Sequence, residues 1–366
     1  SPSAGLAPER PGFPSVRRDL DALTGYHSAQ AEVVARLNTN ESPLPPPPKW
    51  FDAYRSGLAE IHFNRYPDRH AAELRRAVAR THDLRPEQVF CANGSNEVLQ
   101  LLLLAYGGPG RMAALFEPTY SLHRQIARIT GTEVVAGRRG EGFHLDLDEV
   151  KRVVSTHEPT LTFLCSPNNP TGVADPPEQI SSVLSIASGL VVVDEAYGQF
   201  SPTSALDVMR AGGPGSDRMA VVRTFSKTWS LAGLRLGYVV ADPEVIAACE
   251  MVSLPYHLDT GKQLAGRLAL DFAAEMETTV AMLREERGRI AAALAELPLE
   301  TWPSDANFIL FRPTTVDAYE LWSRLLDASV LVRDCSRWPG VSGCLRVTVG
   351  LPTENNRFLT ALTNSL

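Results

Sequence analysis

The sequence has few of the residues that build disulfides and metal sites. Only five of its 366 residues are cysteine, and eight are histidine. The cysteines are odd in number and scattered, and neither a CxxC pair nor an HxH or HExxH group occurs. We therefore expect neither a disulfide framework nor a bound metal, and this cysteine usage is typical of a reducing cytoplasm.

Long apolar runs and an excess of positive charge are also missing. The longest hydrophobic stretches, at 99–106 and 190–197, are far shorter than the roughly 20 residues that span a bilayer. The formal net charge of −7 at pH 7 disfavours nucleic acid or an anionic membrane as the main partner. No secretion signal opens the chain, so we expect a cytoplasmic protein.

What the sequence does contain is an alternation of short apolar strands with helices. Each strand ends in polar residues or glycine, a pattern typical of a sheet that helices cover on both faces. This pattern predicts an α/β fold with a mostly parallel central sheet. Two changes of composition divide the chain: a proline-rich connector at 42–50, and an Ala/Leu/Arg/Glu-rich helical region from about 260 that leads into an α+β tail. We predict an N-terminal arm (1–48) that contributes to the small domain, a large domain (49–258) and a small C-terminal domain (259–366).

Four predicted strand ends carry residues that are unusual for simple turns. In open α/β sheets, ligands bind where the carboxyl ends of strands meet loops and helix N-termini. NGSNE at 93–97 has a glycine–serine turn before a helix, whose backbone N–H groups can bind phosphate. SPNNPTG at 166–172 is a rigid turn that can hold an amide side chain towards a ligand. Each could also be an ordinary helix cap or turn.

The other two strand ends are charged. Asp194 follows three valines in VVVDEAY, where a buried carboxylate needs a cationic or N–H partner, and Tyr197 lies on the same turn. A structural salt bridge would also satisfy Asp194. Lys227 ends a further strand and is either a solvated lysine or a partly desolvated nucleophile able to form a Schiff base. Three possible phosphate donors lie close to it in sequence: Thr224, Ser226 and Arg235.

Together these residues meet the needs of one cofactor. Pyridoxal 5′-phosphate (PLP) requires a lysine for its aldehyde, a carboxylate for its pyridinium nitrogen, and donors for its O3′ and its phosphate. The order Gly-Ser, Asn, Asp/Tyr and Lys/Arg along the chain supplies all of them. The sequence therefore predicts a PLP site.

Over more than nine-tenths of its length the chain resembles the class I/II aminotransferases of PLP fold type I, and most closely the histidinol-phosphate aminotransferase family. The motifs that carry the resemblance are LNTNESP (37–43), NRYP (64–67), NGSNE, EPTY (117–120), SPNNPTG, DEAY, TFSKTWSLAGLRLGY (224–238), PYHL (255–258) and VRDCSRWPGVSGCLRVTVG (332–350).

The resemblance implies a role for each matching residue at the cofactor. Lys227 would bond the PLP aldehyde and move the proton between Cα and C4′, and Asp194 would keep the pyridine nitrogen protonated. Asn169 and Tyr197 would hydrogen-bond O3′, while Tyr120 would stack on the ring. The implied ligands of the cofactor phosphate are Ser95, Asn96, Thr224, Ser226 and Arg235, with Tyr66 supplied by the other subunit. The family therefore implies an obligate homodimer with shared active sites.

The resemblance also implies a substrate site. The residues assigned to it are Tyr26, Asn40, Asn169, Arg333 and Arg346. Arg346 would bind the α-carboxylate of glutamate and, with Arg333, the phosphate of histidinol phosphate, because a guanidinium suits both anions. The implied reaction is a ping-pong transamination that converts L-histidinol phosphate and 2-oxoglutarate into imidazole acetol phosphate and L-glutamate, or the reverse.

Three alternatives stay open at the level of sequence. An aromatic amino-acid aminotransferase would use the same Lys227 and Arg346 with a more apolar pocket. The stretch at 335–338 (Cys-Ser-Arg-Trp) also resembles threonine-phosphate decarboxylases, which share the fold and bind a substrate phosphate. A non-enzymatic PLP-fold regulator is the remote alternative. Loss of the lysine or a basic N-terminal domain would favour it, whereas this chain has Lys227 and shows no such domain.

Overall fold

The computed structural model describes residues 14–17, 20 and 29–366, and this part of the chain contains two sheets. The strands of the larger sheet are β2 (Val89–Ala92), β3 (Met112–Glu117), β4 (Glu133–Arg138), β5 (Leu161–Cys165), β6 (Leu190–Asp194), β7 (Met219–Thr224) and β8 (Gly237–Val240). Their spatial order is β2-β8-β7-β6-β5-β3-β4. Strand β8 runs antiparallel to both of its neighbours, and the remaining neighbouring pairs are parallel.

Helices cover both faces of this sheet because its strands are apolar on both sides. Successive strand residues point to opposite faces, so Val191 and Val193 belong to one core cluster while Val192 belongs to another. The helices that supply the first cluster are α1 (Pro48–Ala59), α2 (Ala72–Thr81), α5 (Leu147–His157), α6 (Pro177–Ile186), α7 (Ala205–Ala211) and α9 (Thr260–Ala269). The helices on the opposite face are α3 (Ser95–Tyr106), α4 (Ser121–Ile129) and α8 (Pro243–Val252).

The smaller sheet has its own core and includes a strand from the N-terminal region. Its strands are β1 (Ala35–Leu37), β9 (Leu299–Thr301), β10 (Phe308–Pro313), β11 (Val330–Asp334) and β12 (Leu345–Thr348), in the order β1-β11-β12-β10-β9. Three helices pack with it: α10 (Ala273–Ala295), α11 (Ala318–Asp327) and α12 (Pro352–Ser365). β1 pairs in parallel with β11. The domain boundaries at 48 and 258 stay predictions.

Two observations concern membranes and metals. Among the described residues, no helix is both long and apolar enough to cross a membrane. The same residues hold no group of three or more His, Cys, Asp or Glu side chains that could bind a metal ion. All five cysteines are buried and free.

Candidate active site

A cavity of about 270 Å³ opens where the carboxyl ends of β5, β6 and β7 face the smaller sheet. The side chains of the predicted site that line this cavity are Asn40, Ser95, Asn96, Tyr120, Asn169, Asp194, Tyr197, Thr224, Ser226, Lys227, Arg235 and Arg346. They come from loops far apart in sequence, which meet because parallel strands end at the same edge of a sheet. The fold therefore assembles one site from the four strand-end motifs and from residues of both sheets.

Two of the predicted residues that the structure describes, Tyr66 and Arg333, do not line this cavity. Tyr66 is 80% exposed, and its ring stacks on that of Tyr256 with 4.4 Å between centroids. Arg333 lines a neighbouring cavity instead. Tyr26 lies outside the described residues.

Lys227 follows β7 directly and is partly buried. Its Nζ donates a hydrogen bond to the backbone oxygen of Thr39 at 3.0 Å. Burial, together with the positive charge of Arg346, lowers the pKa of the Lys227 ammonium from 10.5 to about 8. A lysine with that pKa is partly neutral near physiological pH, and a neutral amine is nucleophilic. The side chain is therefore suited to attack an aldehyde, unlike a solvated lysine.

Asp194 ends β6 and is bonded to a histidine that the sequence analysis did not select. Its Oδ2 lies 2.9 Å from Nε2 of His123, and its Oδ1 accepts a hydrogen bond from the backbone N–H of Ala196 at 3.1 Å. His123 is fully buried, its ring stacks on Phe163, and its Nδ1 has no hydrogen-bond partner within the described part of the chain. The available signal was position: His123 follows Tyr120 by three residues at the start of α4, which puts both on one helix face.

Tyr197 is a buried phenol held by two amides. Nδ2 of Asn40 donates to its hydroxyl oxygen at 3.0 Å, and Nδ2 of Asn169 donates to the same oxygen at 3.4 Å. Burial raises the pKa of Tyr197 to about 12, so the phenol stays protonated at neutral pH. Because its oxygen already accepts both amide bonds, the hydroxyl proton can be donated to an acceptor in the cavity.

Arg346 reaches the cavity from β12 and is almost completely buried. Its guanidinium donates to Oδ1 of Asn169 and to the backbone oxygen of Asn38, the latter at 3.0 Å. The group lies over the ring of Phe308, 5.0 Å from the centroid. Its Nε has no partner among the residues described. A buried guanidinium with an unused donor is suited to bind a carboxylate.

The N-terminus of α3 and Arg235 form a phosphate-sized cradle. Gly94, just before the helix, has a φ of +85°, and a Cβ there would lie 2.9 Å from a terminal nitrogen of Arg235. Arg235 donates to Oγ of Ser226 at 3.2 Å, and Thr224 donates to the same oxygen at 2.9 Å. Backbone N–H groups at a helix N-terminus and a guanidinium together suit a dianion. The cradle, the Asp194 carboxylate and the Lys227 amine thus fit PLP.

A buried ion pair supports the loop that carries Asn169. Arg139 contacts both carboxylate oxygens of Asp175, at 2.7 and 2.9 Å, and donates to the backbone oxygen of Cys165 at 3.3 Å. The backbone N–H of Asp175 donates to Oγ of Ser166 at 2.8 Å. The pair therefore ties the end of β5 to the chain beyond the loop at 166–172.

We expect Asp175→Ala to lower the free energy of unfolding by about 3–5 kcal/mol, because it leaves the Arg139 charge buried without its partner. Urea unfolding of the cofactor-loaded protein measures the change. Asp52→Ala is the matched control, because it breaks an exposed Arg55–Asp52 pair, and should change stability by less than about 0.5 kcal/mol. A loss no greater than that of the control would show that the buried pair does not stabilise the loop.

The fold defines the class of protein, PLP fold type I, and its cavity brings a lysine, a carboxylate and a helix N-terminus together at the carboxyl edge of parallel strands. The family follows from comparison with known proteins. The description "Aminotransferase class I and II" matches residues 32–362, and the chain belongs to this family.

Similar proteins agree with this assignment. A histidinol-phosphate aminotransferase of Frankia casuarinae is 46% identical over 97% of this chain and 91% of its own length. One of Corynebacterium efficiens is 43% identical over 94% of this chain and 93% of its own. The fold matches that of the Sinorhizobium meliloti histidinol-phosphate aminotransferase in complex with PLP, with a TM-score of 0.87 and 22% identity over 96% of this chain and 98% of that one.

These findings confirm the predicted fold class, family and cofactor: the chain is a PLP-dependent aminotransferase. The remote alternative of a non-enzymatic regulator is not favoured. The roles of individual site residues stay predictions, which the experiments below test.

Proposed function

We propose that the enzyme transfers an amino group between L-histidinol phosphate and 2-oxoglutarate, giving imidazole acetol phosphate and L-glutamate by a ping-pong mechanism. The relatives with this activity in their names support the proposal. The structural observation that carries it is the pairing of two arginines. Arg333 on β11 lies directly opposite Arg346 on β12, and the two side chains line two cavities that share Trp338, Arg346 the first and Arg333 the second. Arg346 can bind a substrate carboxylate, whereas a longer, phosphorylated substrate can also bring its phosphate to Arg333.

Lys227 acts as the mobile base of the reaction. PLP, when bound, supplies an electron-withdrawing ring that takes up the electron density released at the substrate Cα. The Nζ of Lys227, with its lowered pKa, removes the Cα proton. The contact of Nζ with the Thr39 oxygen keeps the amine inside the cavity.

Asp194 and Tyr197 hold the ring of the cofactor in its reactive state. The Asp194 carboxylate holds a proton on the pyridine nitrogen, and His123 fixes the orientation of that carboxylate through Oδ2. The Tyr197 hydroxyl, which accepts a hydrogen bond from the Asn169 amide, would donate to O3′ of the bound cofactor. Tyr120 lines the same cavity and would pack on the ring of the cofactor.

The phosphate of the cofactor is held by the cradle at the start of α3. Its donors on this chain are Ser95, Asn96, Thr224, Ser226 and Arg235. We infer that Tyr66 completes this set across a homodimer, because Tyr66 is 80% exposed and does not line the cavity of its own chain. Met251 and Leu254, which precede the stacking partner of Tyr66 in the chain, are 82% and 77% exposed, and a second copy would cover them. We place this dimer in the cytoplasm.

The test compares amino donors in single turnovers of the cofactor-loaded enzyme, followed by the loss of its visible absorption. The donors are histidinol phosphate, histidinol, phenylalanine and threonine phosphate. We expect kcat/KM for histidinol phosphate to exceed those of histidinol and phenylalanine at least about 100-fold, because only the phosphate uses the second guanidinium. Equal rates with phenylalanine would favour an aromatic aminotransferase. Release of CO₂ from threonine phosphate would favour the decarboxylase.

A further inference from the structure

A second cavity of about 290 Å³ adjoins the active site, and Trp338 lines both. Arg333 lines this second cavity together with Tyr319 and Trp322. The guanidinium of Arg333 lies over the indole of Trp338, with 5.4 Å between Cζ and the ring centroid. The indole therefore forms a wall shared by the two cavities and also a platform for Arg333.

Arg333 and Arg346 start from neighbouring strand positions, but their guanidinium groups line different cavities. Arg333 and Arg346 face each other across β11 and β12, where Cβ atoms of opposed residues lie about 5 Å apart on one face. Each guanidinium has its own aromatic platform, Phe308 for Arg346 and Trp338 for Arg333. As a result, Arg346 lines the first cavity and Arg333 lines the second.

The platform under Arg333 is fixed by its turn. The backbone N–H of Trp338 donates to the oxygen of Cys335 at 2.9 Å, and its own oxygen accepts from Val341 at 3.3 Å. The indole packs against a buried cluster formed by Leu310, Cys335, Val341 and Cys344. Because these side chains are fully buried and closely packed, they restrict the movement of the indole.

We propose that Trp338 is a positioning residue that determines specificity: its indole holds Arg333 beyond the wall of the first cavity, so that only a substrate long enough to pass the indole edge places an anion on Arg333. The proposal rests on the proposed function, because it requires a phosphorylated amino donor. Glutamate, which is shorter, binds through Arg346 and does not depend on Trp338. The residue thus lets one site accept two substrates of different length through two separate arginines.

The test is a double-mutant cycle on the cofactor-loaded enzyme, with histidinol phosphate and glutamate as separate amino donors. We expect Trp338→Ala to raise KM for histidinol phosphate about tenfold with kcat within about twofold, since it removes a cation–π platform rather than a reacting group. The glutamate parameters should change less than about twofold. Trp338→Phe should restore most of the affinity, because a phenyl ring also supports a guanidinium. In an Arg333→Met background, Trp338→Ala should add less than about a further twofold.

Trp302→Ala is the matched control. Trp302 packs against the same buried cluster and carries Arg312 over its ring at 5.3 Å, but it lines neither cavity. An equal rise of KM in this control, an equal rise for glutamate, or full additivity with Arg333→Met would overturn the proposal. If the wild-type enzyme does not distinguish histidinol phosphate from histidinol, the proposed function fails and this inference fails with it. A wild-type preference for the phosphate that survives Trp338→Ala contradicts the inference alone.

Discussion

Replacement of Lys227 by alanine should abolish amino transfer and leave the fold in place. The variant loses both the amine that bonds the cofactor and the base that moves the substrate proton, so we expect kcat to fall at least about 10⁴-fold. The fold should survive because Nζ makes one hydrogen bond, to Thr39, and because burial already disfavours its charged form. Single-turnover kinetics with glutamate measure the loss, and circular dichroism with urea unfolding measures the fold.

Two further measurements make the Lys227 result specific. Lys151→Ala removes an exposed lysine on α5 and should keep wild-type turnover and the visible absorption band of lysine-bound cofactor. Added methylamine should partly restore proton transfer in Lys227→Ala, because a small amine can occupy the vacated space and act as the base. If Lys227→Ala keeps turnover within about tenfold of wild type without added amine, Lys227 is not the base that moves the substrate proton.

The second large effect is expected at Asp194. Asp194→Asn keeps the size of the side chain but replaces the carboxylate with a neutral amide, which cannot hold a positive charge on the pyridine nitrogen. We expect kcat to fall at least about 1,000-fold, because charge stabilisation in a buried site is among the largest contributions to catalysis. The visible absorption band should remain after gel filtration, since Lys227 and the phosphate cradle still bind the cofactor. Turnover is measured with glutamate as amino donor and isotopically labelled 2-oxoglutarate as acceptor, by the transfer of label into glutamate.

A variant of His123 distinguishes the effect of the Asp194 charge from the effect of the Asp194 orientation. His123→Ala leaves the Asp194 charge in place and removes its contact with Oδ2 together with the ring packing of His123, so the loss in kcat should be smaller, about 10- to 100-fold. Asp194→Asn with near wild-type turnover would show that the carboxylate is structural. Equal losses in the two variants would show that the orientation of Asp194, and not its charge alone, limits the reaction.

Local sequence was sufficient to predict the parts of the site that lie at strand ends. Asp194 and Lys227 each follow a buried apolar strand, and the carboxyl ends of parallel strands share one edge of a sheet. SPNNPTG and NGSNE follow the same rule, and all four motifs line one cavity. The four motifs meet because topology, and not side-chain packing, decides which strand ends lie together, while the role of each residue stays a prediction.

Contacts between distant segments could not be predicted in the same way. His123 lies 71 residues before its partner Asp194, and its position three residues after Tyr120 does not by itself indicate that partner. Arg139 and Asp175 are separated by the loop that they support. Such pairs depend on how helices and loops pack over the sheet, and packing depends on the volumes of many side chains together.

Arg333 and Arg346 illustrate which features of the site follow from the sequence and which depend on the tertiary structure. Strand periodicity and motif spacing predicted the α/β class and the PLP site, and the family resemblance assigned two arginines of one C-terminal motif to the substrate. Only the tertiary structure decided that Arg346 lines the first cavity while Arg333 lines the second, with Trp338 between them. The physical reason is that strand register places the two residues opposite each other, whereas the direction of each guanidinium depends on its contacts with other segments, among them the rings of Phe308 and Trp338.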